Sequence, residues 1–267
     1  MSGHIDSGRI ASDRTGSDRI DSIEELRWIV PDWPAPANVR AASSLRCGGA
    51  SMGDYAALNL ADHVADDPVA VTANRERLQK ALALPAPPIW LTQIHGVGCV
   101  DAASSTIGIE ADASFTTQAG VVSAVLTADC LPVLLCDKQG LTVASVHAGW
   151  RGLAGGVIES TIAAMGEPQG LMAWLGPAIG PQQFEVGTEV RAAFVARDAA
   201  TADAFISVRD GHWHADLYQL AALILKKQGV SAIYGAEWCT VSSPENFYSY
   251  RRDGVTGRMA TLIWMTD

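Results

Sequence analysis

Residues 122–152 read VSAVLTADCLPVLLCDKQGLTVASVHAGWRG. Three short apolar runs, VVSAVLTAD, PVLLCD and LTVASVHAG, lie in or at the edge of this stretch, and each is closed by Asp or Gly. Runs of this length bounded by such residues read as buried strands. Directly after them Leu153, Val157, Ile158, Ile162 and Met165 recur at helical spacing, so one helix is expected over 152–165. Upstream, IWLTQI at 89–94 reads as a further strand.

Working outward, strands are expected at 171–175, 232–234 and 260–265, with helices near 188–197 and 215–227. Asp66-Asp67-Pro68 supplies an N-cap and an early proline for a helix bearing Val69, Val71, Leu78, Leu82 and Leu84, which must end before Pro85. Residues 28–51, with Pro31, Pro34, Pro36 and the Gly48-Gly49 turn, read as short strands and loops. Strands and helices are interspersed without regular βα alternation. This predicts an α+β fold in which helices pack outside mixed β-sheets, as a single catalytic domain over 28–267. Residues 1–27, rich in Ser, Gly, Asp and Arg, read as a disordered N-terminal tail.

The chain has 267 residues, 48% hydrophobic and 18% charged, enough to bury a core without cross-links. A formal net charge of −10 with no compensating basic run argues against nucleic acid as a partner. The first residues hold no apolar segment that reads as a signal or membrane helix. Five scattered cysteines make a disulfide framework improbable, so a cytoplasmic, reducing location is expected.

Three segments place a metal ligand at or just after an apolar run: Gln93-Ile-His95-Gly, Thr-Ala-Asp-Cys130 and Val-His147-Ala-Gly. Two imidazoles and a thiolate suit zinc, and three protein ligands leave one coordination position open, as in catalytic sites. No CxxC pair supplies the closed set of a structural site. Each residue also has a plainer reading: His95 as a turn histidine, and Cys130 or Cys136 as small core residues.

Taken together, the motifs resemble the family variously called multicopper polyphenol oxidoreductase (laccase-like), YfiH-type purine nucleoside phosphorylase, or peptidoglycan editing factor. The likeness runs through Arg46-Cys-Gly-Gly-Ala-Ser, Tyr55-Ala-Ala-Leu-Asn-Leu, the Asn74-Arg-Glu-Arg helix, Gln93-Ile-His95-Gly, Ala111-Asp112-Ala, Thr127-Ala-Asp-Cys130-Leu-Pro132, HAGWRG from His147, Gly176-Pro-Ala-Ile-Gly-Pro181 with Phe184-Glu-Val-Gly, and Tyr248-Ser-Tyr-Arg-Arg-Asp-Gly254 with Thr256-Gly-Arg258. The resemblance implies that His95, Cys130 and His147 are zinc ligands, that the layers run α/β/β/α, and that the substrate is a purine nucleoside undergoing phosphorolysis or deamination. The tail has no counterpart in the motifs, and Gln182-Gln183 stand where many relatives carry a Cys.

For deamination, Asp129 is the candidate proton carrier, with a structural acceptor at the turn as its alternative. For phosphorolysis, Arg46 beside the glycine turn is the candidate phosphate donor, followed by Arg151 and the Arg251-Arg252 pair. Asn59 and Gln93 are candidates for substrate binding or, equally, for satisfied core amides. His63 reads as a capping or exposed residue, and His212 and His214 as part of a hairpin leading into a helix. Three other functions compete. A laccase-like copper oxidase needs more histidines than the 6 present. The others are a cysteine hydrolase editing peptidoglycan precursors, with Cys130 as nucleophile and His147 as base, and an adaptor that only binds a metabolite.

Overall fold

The computed structural model describes residues 18–267, apart from residues 24 and 167–169. The elements in chain order are β1 (Arg19–Ile23), β2 (Leu26–Val30), β3 (Val39–Ser44), α1 (Pro68–Ala81), β4 (Cys99–Asp101), β5 (Ala113–Thr116), β6 (Val122–Thr127), β7 (Leu131–Asp137), β8 (Val143–Ala148), α2 (Trp150–Gly155) and α3 (Val157–Ala164). They continue with β9 (Leu171–Leu175), β10 (Glu185–Gly187), α4 (Thr188–Val195), β11 (Phe205–Arg209), β12 (His212–Ala215), α5 (Leu217–Lys227), β13 (Ala232–Gly235), α6 (Tyr250–Asp253) and β14 (Met259–Met265).

Two sheets form the body. The first has the order β1-β2-β3-β14-β6, the second β13-β9-β7-β8-β5-β4, and a small third sheet is β10-β12-β11. Alternation along the strands explains how they stack. In β7, Val133 and Leu135 join the cluster containing Val157, Ile158 and Leu220 of the helices, while Leu134 and Cys136 join Ile29, Met259 and Ile263 of the first sheet. The outer face of the first sheet, with Val122, Ala124, Leu126 and Leu262, packs on Leu78 of α1. The layers therefore run helix, sheet, sheet, helices, as the family resemblance implies. Each fully buried Leu in these clusters contributes roughly 1.5–3 kcal/mol relative to exposure.

The interior between the sheets also holds paired polar groups. Ser123 Oγ of β6 lies 2.7 Å from both Ser114 Oγ of β5 and Ser145 Oγ of β8, and it donates to the Ser114 carbonyl. Ser43 Oγ and Thr261 Oγ1 are 2.8 Å apart on neighbouring strands of the first sheet.

Four expectations need correction. Residues 18–23 and 25–27, read as tail, are structured: β1 and β2 pair antiparallel from Arg19 opposite Val30, and Asp18 accepts hydrogen bonds from the indole N–H groups of Trp174 and Trp238. β1 is an exposed polar edge strand, so its composition looks like that of a solvated segment. The rest of the expected tail lies outside the described residues. The single helix expected over 152–165 is two helices, broken where Gly156 adopts φ 105°.

The segment 89–94 forms only isolated bridges, Ile89 with Ser123 and Thr92 with Glu110. Two prolines precede it, and the Gln93 side chain bonds the Leu126 backbone in place of a ladder, donating to its carbonyl at 2.8 Å and accepting from its N–H at 2.7 Å. The N-cap of α1 stands as expected, with Asp67 accepting from Val69 N at 2.9 Å and Pro68 in the first turn. The helix stops at Ala81, short of Pro85, but its Val69 is exposed, so Val71, Asn74 and Leu78 form the inner face.

Candidate metal centre

The chain crosses from the first sheet to the second between β6 and β7, over Ala128-Asp129-Cys130. Asp129 makes the crossing with φ 98°, a conformation that costs an ordinary L-residue and persists only when its surroundings hold it. They do: its carboxylate accepts from Thr240 Oγ1, from Ser249 Oγ at 3.0 Å and from Arg251 N at 2.7 Å. Both oxygens are engaged, so Asp129 acts as the structural acceptor at the turn and fixes Cys130 beyond it. The expectation of a free proton carrier finds no support in this geometry.

His147 lies on β8, which pairs with β7 so that Pro132 faces His147. His95 projects from the loop after the Gln93 anchor, with φ 60°. The ligand atoms of His95, Cys130 and His147 all lie within 4.8 Å of one another, with Cys130 Sγ 3.8 Å from His95 Nε2. Tetrahedral zinc with bonds of about 2.0 Å to nitrogen and about 2.3 Å to sulfur sets its donors about 3.5 Å apart, so the three approach the required spacing. Gly149 leaves the room: a Cβ there would stand 2.9 Å from Cys130 Sγ and 3.1 Å from His95 Cδ2. Among the described residues no fourth His, Cys, Asp or Glu joins the group, which matches an open site rather than a closed one.

Asp112, quoted in the sequence motif but given no role there, organises this group. Its Oδ1 is 2.8 Å from His147 Nδ1, which leaves Nε2 to face the centre. The same carboxylate accepts from His95 N at 2.9 Å and Gly96 N at 2.6 Å, so it orients two ligands. Burial pushes the Asp112 carboxyl up, but hydrogen bonds from His147 and Gly96 outweigh it and hold the group below its ordinary value. Burial likewise opposes ionisation of Cys130, yet His147 and His95 draw its thiol down to about 6. His147 moves the other way: burial disfavours its charge, and the Cys130 thiolate with Asp112 raises it.

The other expected site residues have separate jobs. Arg46 donates from Nε and Nη2 to the Ala56 carbonyl and from Nη1 to that of Pro244, with its guanidinium over the Tyr248 ring. Asn59 is fully buried; its amide donates to Ala61 O and Asp66 Oδ2 and accepts from Ala61 N and Arg258 N. Gln93 is spent on Leu126, as described. Arg151 is exposed over Trp150, and Arg251 donates to the Glu185 carbonyl and covers Phe184. His63 pairs with Asp62 and His212 with Glu185, and neither belongs to the three-residue metal group. His212 and His214 lie in β12, the hairpin strand leading into α5, as read.

Fold and centre together define a mixed-sheet protein with a three-donor metal cradle at the crossing between its sheets. A family model described as multi-copper polyphenol oxidoreductase laccase matches residues 40–266, and the chain belongs to that family. It is 51% identical over 242 residues to a purine nucleoside phosphorylase of Pseudomonas aeruginosa, covering 90% of this chain and 99% of that protein. It is 50% identical over 239 residues to purine nucleoside phosphorylase YfiH of Escherichia coli, covering 89% and 98%. A crystal structure of a Neisseria meningitidis protein superposes with a TM-score of 0.86 at 50% identity, covering 90% of this chain and 99% of that one. That of YlmD from Geobacillus stearothermophilus gives 0.85 at 29% identity, covering 94% and 100%.

Proposed function

We propose that this chain is a zinc-dependent purine nucleoside phosphorylase acting on adenosine, inosine and related nucleosides. The observation that carries the reading is the convergence of His95, Cys130 and His147 within 4.8 Å, with His95 exposed, in a chain whose relatives at half identity are named purine nucleoside phosphorylase. Their N and S donors favour zinc, and one such group, with His63 and His212 paired to carboxylates elsewhere, is a poor basis for a multicopper oxidase.

In phosphorolysis a phosphate oxygen bonds to C1′ of the ribose while the C1′–N9 bond breaks. Its electron pair leaves with the purine, which takes up a proton at a ring nitrogen. A zinc ion, when bound, supplies Lewis acidity to a substrate oxygen. The protein's own share is positioning: Asp112 holds the His147 imidazole and the backbone of His95, and Gly149 leaves room beside Cys130 and His95. Deamination of adenosine needs a carboxylate with a free oxygen to pass protons, and Asp129 offers none, so phosphorolysis is placed first.

A second reading has one observation in its favour. Asp112, His147 and Cys130 line up as the acid, base and thiol of a cysteine hydrolase. Five free cysteines fit the proposed cytoplasmic location.

Incubation of the zinc-loaded protein with inosine or adenosine, with and without phosphate, tests the proposal. Phosphate-dependent release of hypoxanthine or adenine with ribose 1-phosphate supports it. Inosine from adenosine without phosphate points to deamination, and no turnover beyond a Cys130→Ala control removes the enzymatic reading.

A further inference from the structure

Phosphorolysis requires a cation for the phosphate, and the arginines expected to serve are engaged elsewhere. Arg46 spends Nε, Nη1 and Nη2 on carbonyls. Arg252 spends Nη1 and Nη2 on the carbonyls of Thr240 and Phe247 and Nε on the Asp253 carboxylate. Arg251 donates from Nη1 to the Glu185 carbonyl and lies over the Phe184 ring. Arg151 lies on the exposed face of Trp150.

Arg258 differs in position and in what its side chain meets. β14 begins one residue later, with Met259 opposite Thr127, so Arg258 stands beside the Ala128-Asp129-Cys130 crossing. Its backbone is gripped on both sides, the N–H donating to Asn59 Oδ1 at 3.0 Å and the carbonyl accepting from Leu60 N at 3.3 Å. Of its guanidinium, Nη1 donates to the carbonyls of Thr256 and Gly257. Nε and Nη2 meet no protein acceptor among the described residues, and Arg258 is in no ion pair there.

The charges around it set the expected ligand. Cys130 and Asp129 lead the groups whose fields reach the Arg258 guanidinium, followed by Tyr250 and Tyr55; burial alone disfavours its charge, so a nearby anion is needed to offset that cost. Asp129 already has its oxygens engaged. Once a divalent ion takes the Cys130 thiolate, the two neutral imidazoles and the thiolate leave a single net positive charge at the centre. The guanidinium adds a second, with two free donors on a fixed backbone. That set is complementary to a dianionic oxyanion, and an arginine fork suits phosphate in particular.

We propose that Arg258, rather than Arg46, binds the inorganic phosphate co-substrate beside the metal centre; this rests on the phosphorolytic reading above. Arg258 holds the dianion through Nε and Nη2 and sets its attacking oxygen against C1′. Arg258 leads into β14 and Cys130 ends the crossing that leaves its neighbour β6, so the metal and the anion share one end of the first sheet.

The test compares zinc-loaded wild type, Arg258→Gln and Arg258→Lys by steady-state kinetics and by calorimetric titration with inorganic phosphate alone. The expected result for Arg258→Gln is a KM for phosphate raised at least tenfold, a KM for inosine within twofold, an unchanged zinc content and lost phosphate binding. Arg258→Lys recovers part of the phosphate KM, since it keeps the charge without the fork. An unchanged phosphate KM and affinity in Arg258→Gln overturns the proposal, as does an equal rise in both KM values. Wild-type protein that titrates with phosphate through Arg258 but releases no base refutes the phosphorylase reading while leaving the anion site standing. Wild-type protein that does not titrate with phosphate overturns the site. If Arg258→Gln fails to fold, the lysine variant decides by the same split.

Discussion

The Asp112 carboxylate touches the Nδ1 of His147 at 2.8 Å and the backbone N–H of His95 at 2.9 Å, so one side chain positions two of the three candidate metal donors. Such outer partners typically carry a tenfold to hundredfold share of metal affinity. Asp112→Asn is therefore expected to weaken zinc binding about tenfold to hundredfold, measured by competition with a chromophoric chelator. Unchanged affinity would mean that the imidazoles are held by other contacts.

The same residue predicts an acid limit. The Asp112 carboxyl is held below its unfolded value, so its contribution to stability is present above that value, near pH 4, and lost as pH falls through the lower folded one. Urea titrations of the metal-free protein at a series of acidic pH values should show this loss in the wild type. Asp112→Asn should lack that part of the pH slope. Parallel slopes in the two proteins would refute it.

At Gly149 the backbone φ is −61°, which any residue adopts, yet a Cβ would stand 2.9 Å from the Cys130 sulfur. Gly149→Ala should fold with nearly wild-type stability and bind zinc at least about tenfold more weakly, a loss of about 1.4 kcal/mol. Calorimetric zinc titration and thermal melting of the metal-free form separate the two effects. Full zinc affinity in this variant would show that the cradle has slack.

Chelation should expose the Cys130 thiol to iodoacetamide, and restoring zinc should protect it. Because its pKa is drawn down to about 6, alkylation of the metal-free protein should be near its plateau at pH 7 and slow as pH falls below that value. Rapid alkylation of the fully zinc-loaded protein would favour the cysteine hydrolase instead. Cys136, buried and pushed up to about 12, serves as the unreactive comparison.

Asn59→Ala removes four hydrogen bonds from a fully buried site and leaves backbone groups of Ala61 and Arg258 unpaired. Each such group costs about 1–3 kcal/mol, so a loss of at least about 2 kcal/mol is expected in urea unfolding. A large rise in nucleoside KM with unaltered stability would return Asn59 to the substrate.

Much of this arrangement is legible in the sequence. Apolar runs ending in Cys130 and His147 mark where two of the candidate ligands leave the buried strands, and Asp67-Pro68 marks the start of α1. Asp112 stays silent because its task exists only once Ala113 of β5 pairs with Val146 of β8 and brings the carboxylate beside His147. Gln93 and Asn59 look like ligand-binding amides on paper. Only the folded chain shows that Leu126, Ala61 and Arg258 already occupy them. Arg46 and Arg258 are indistinguishable as letters; the difference lies in which carbonyls surround each guanidinium. β1 was hidden by its polarity, since an edge strand need not look apolar.

The three serines between the sheets act as a dowel. Cys130 follows the last strand of one sheet, His147 ends a strand of the other, and Ser123, Ser114 and Ser145 lock those sheets in a single alignment. Sliding β6 by one residue would carry the thiol about 3.3 Å along the sheet and turn every side chain on it to the wrong face. A change deep in the sandwich, at Ser123, thus reaches the metal through shear rather than through contact.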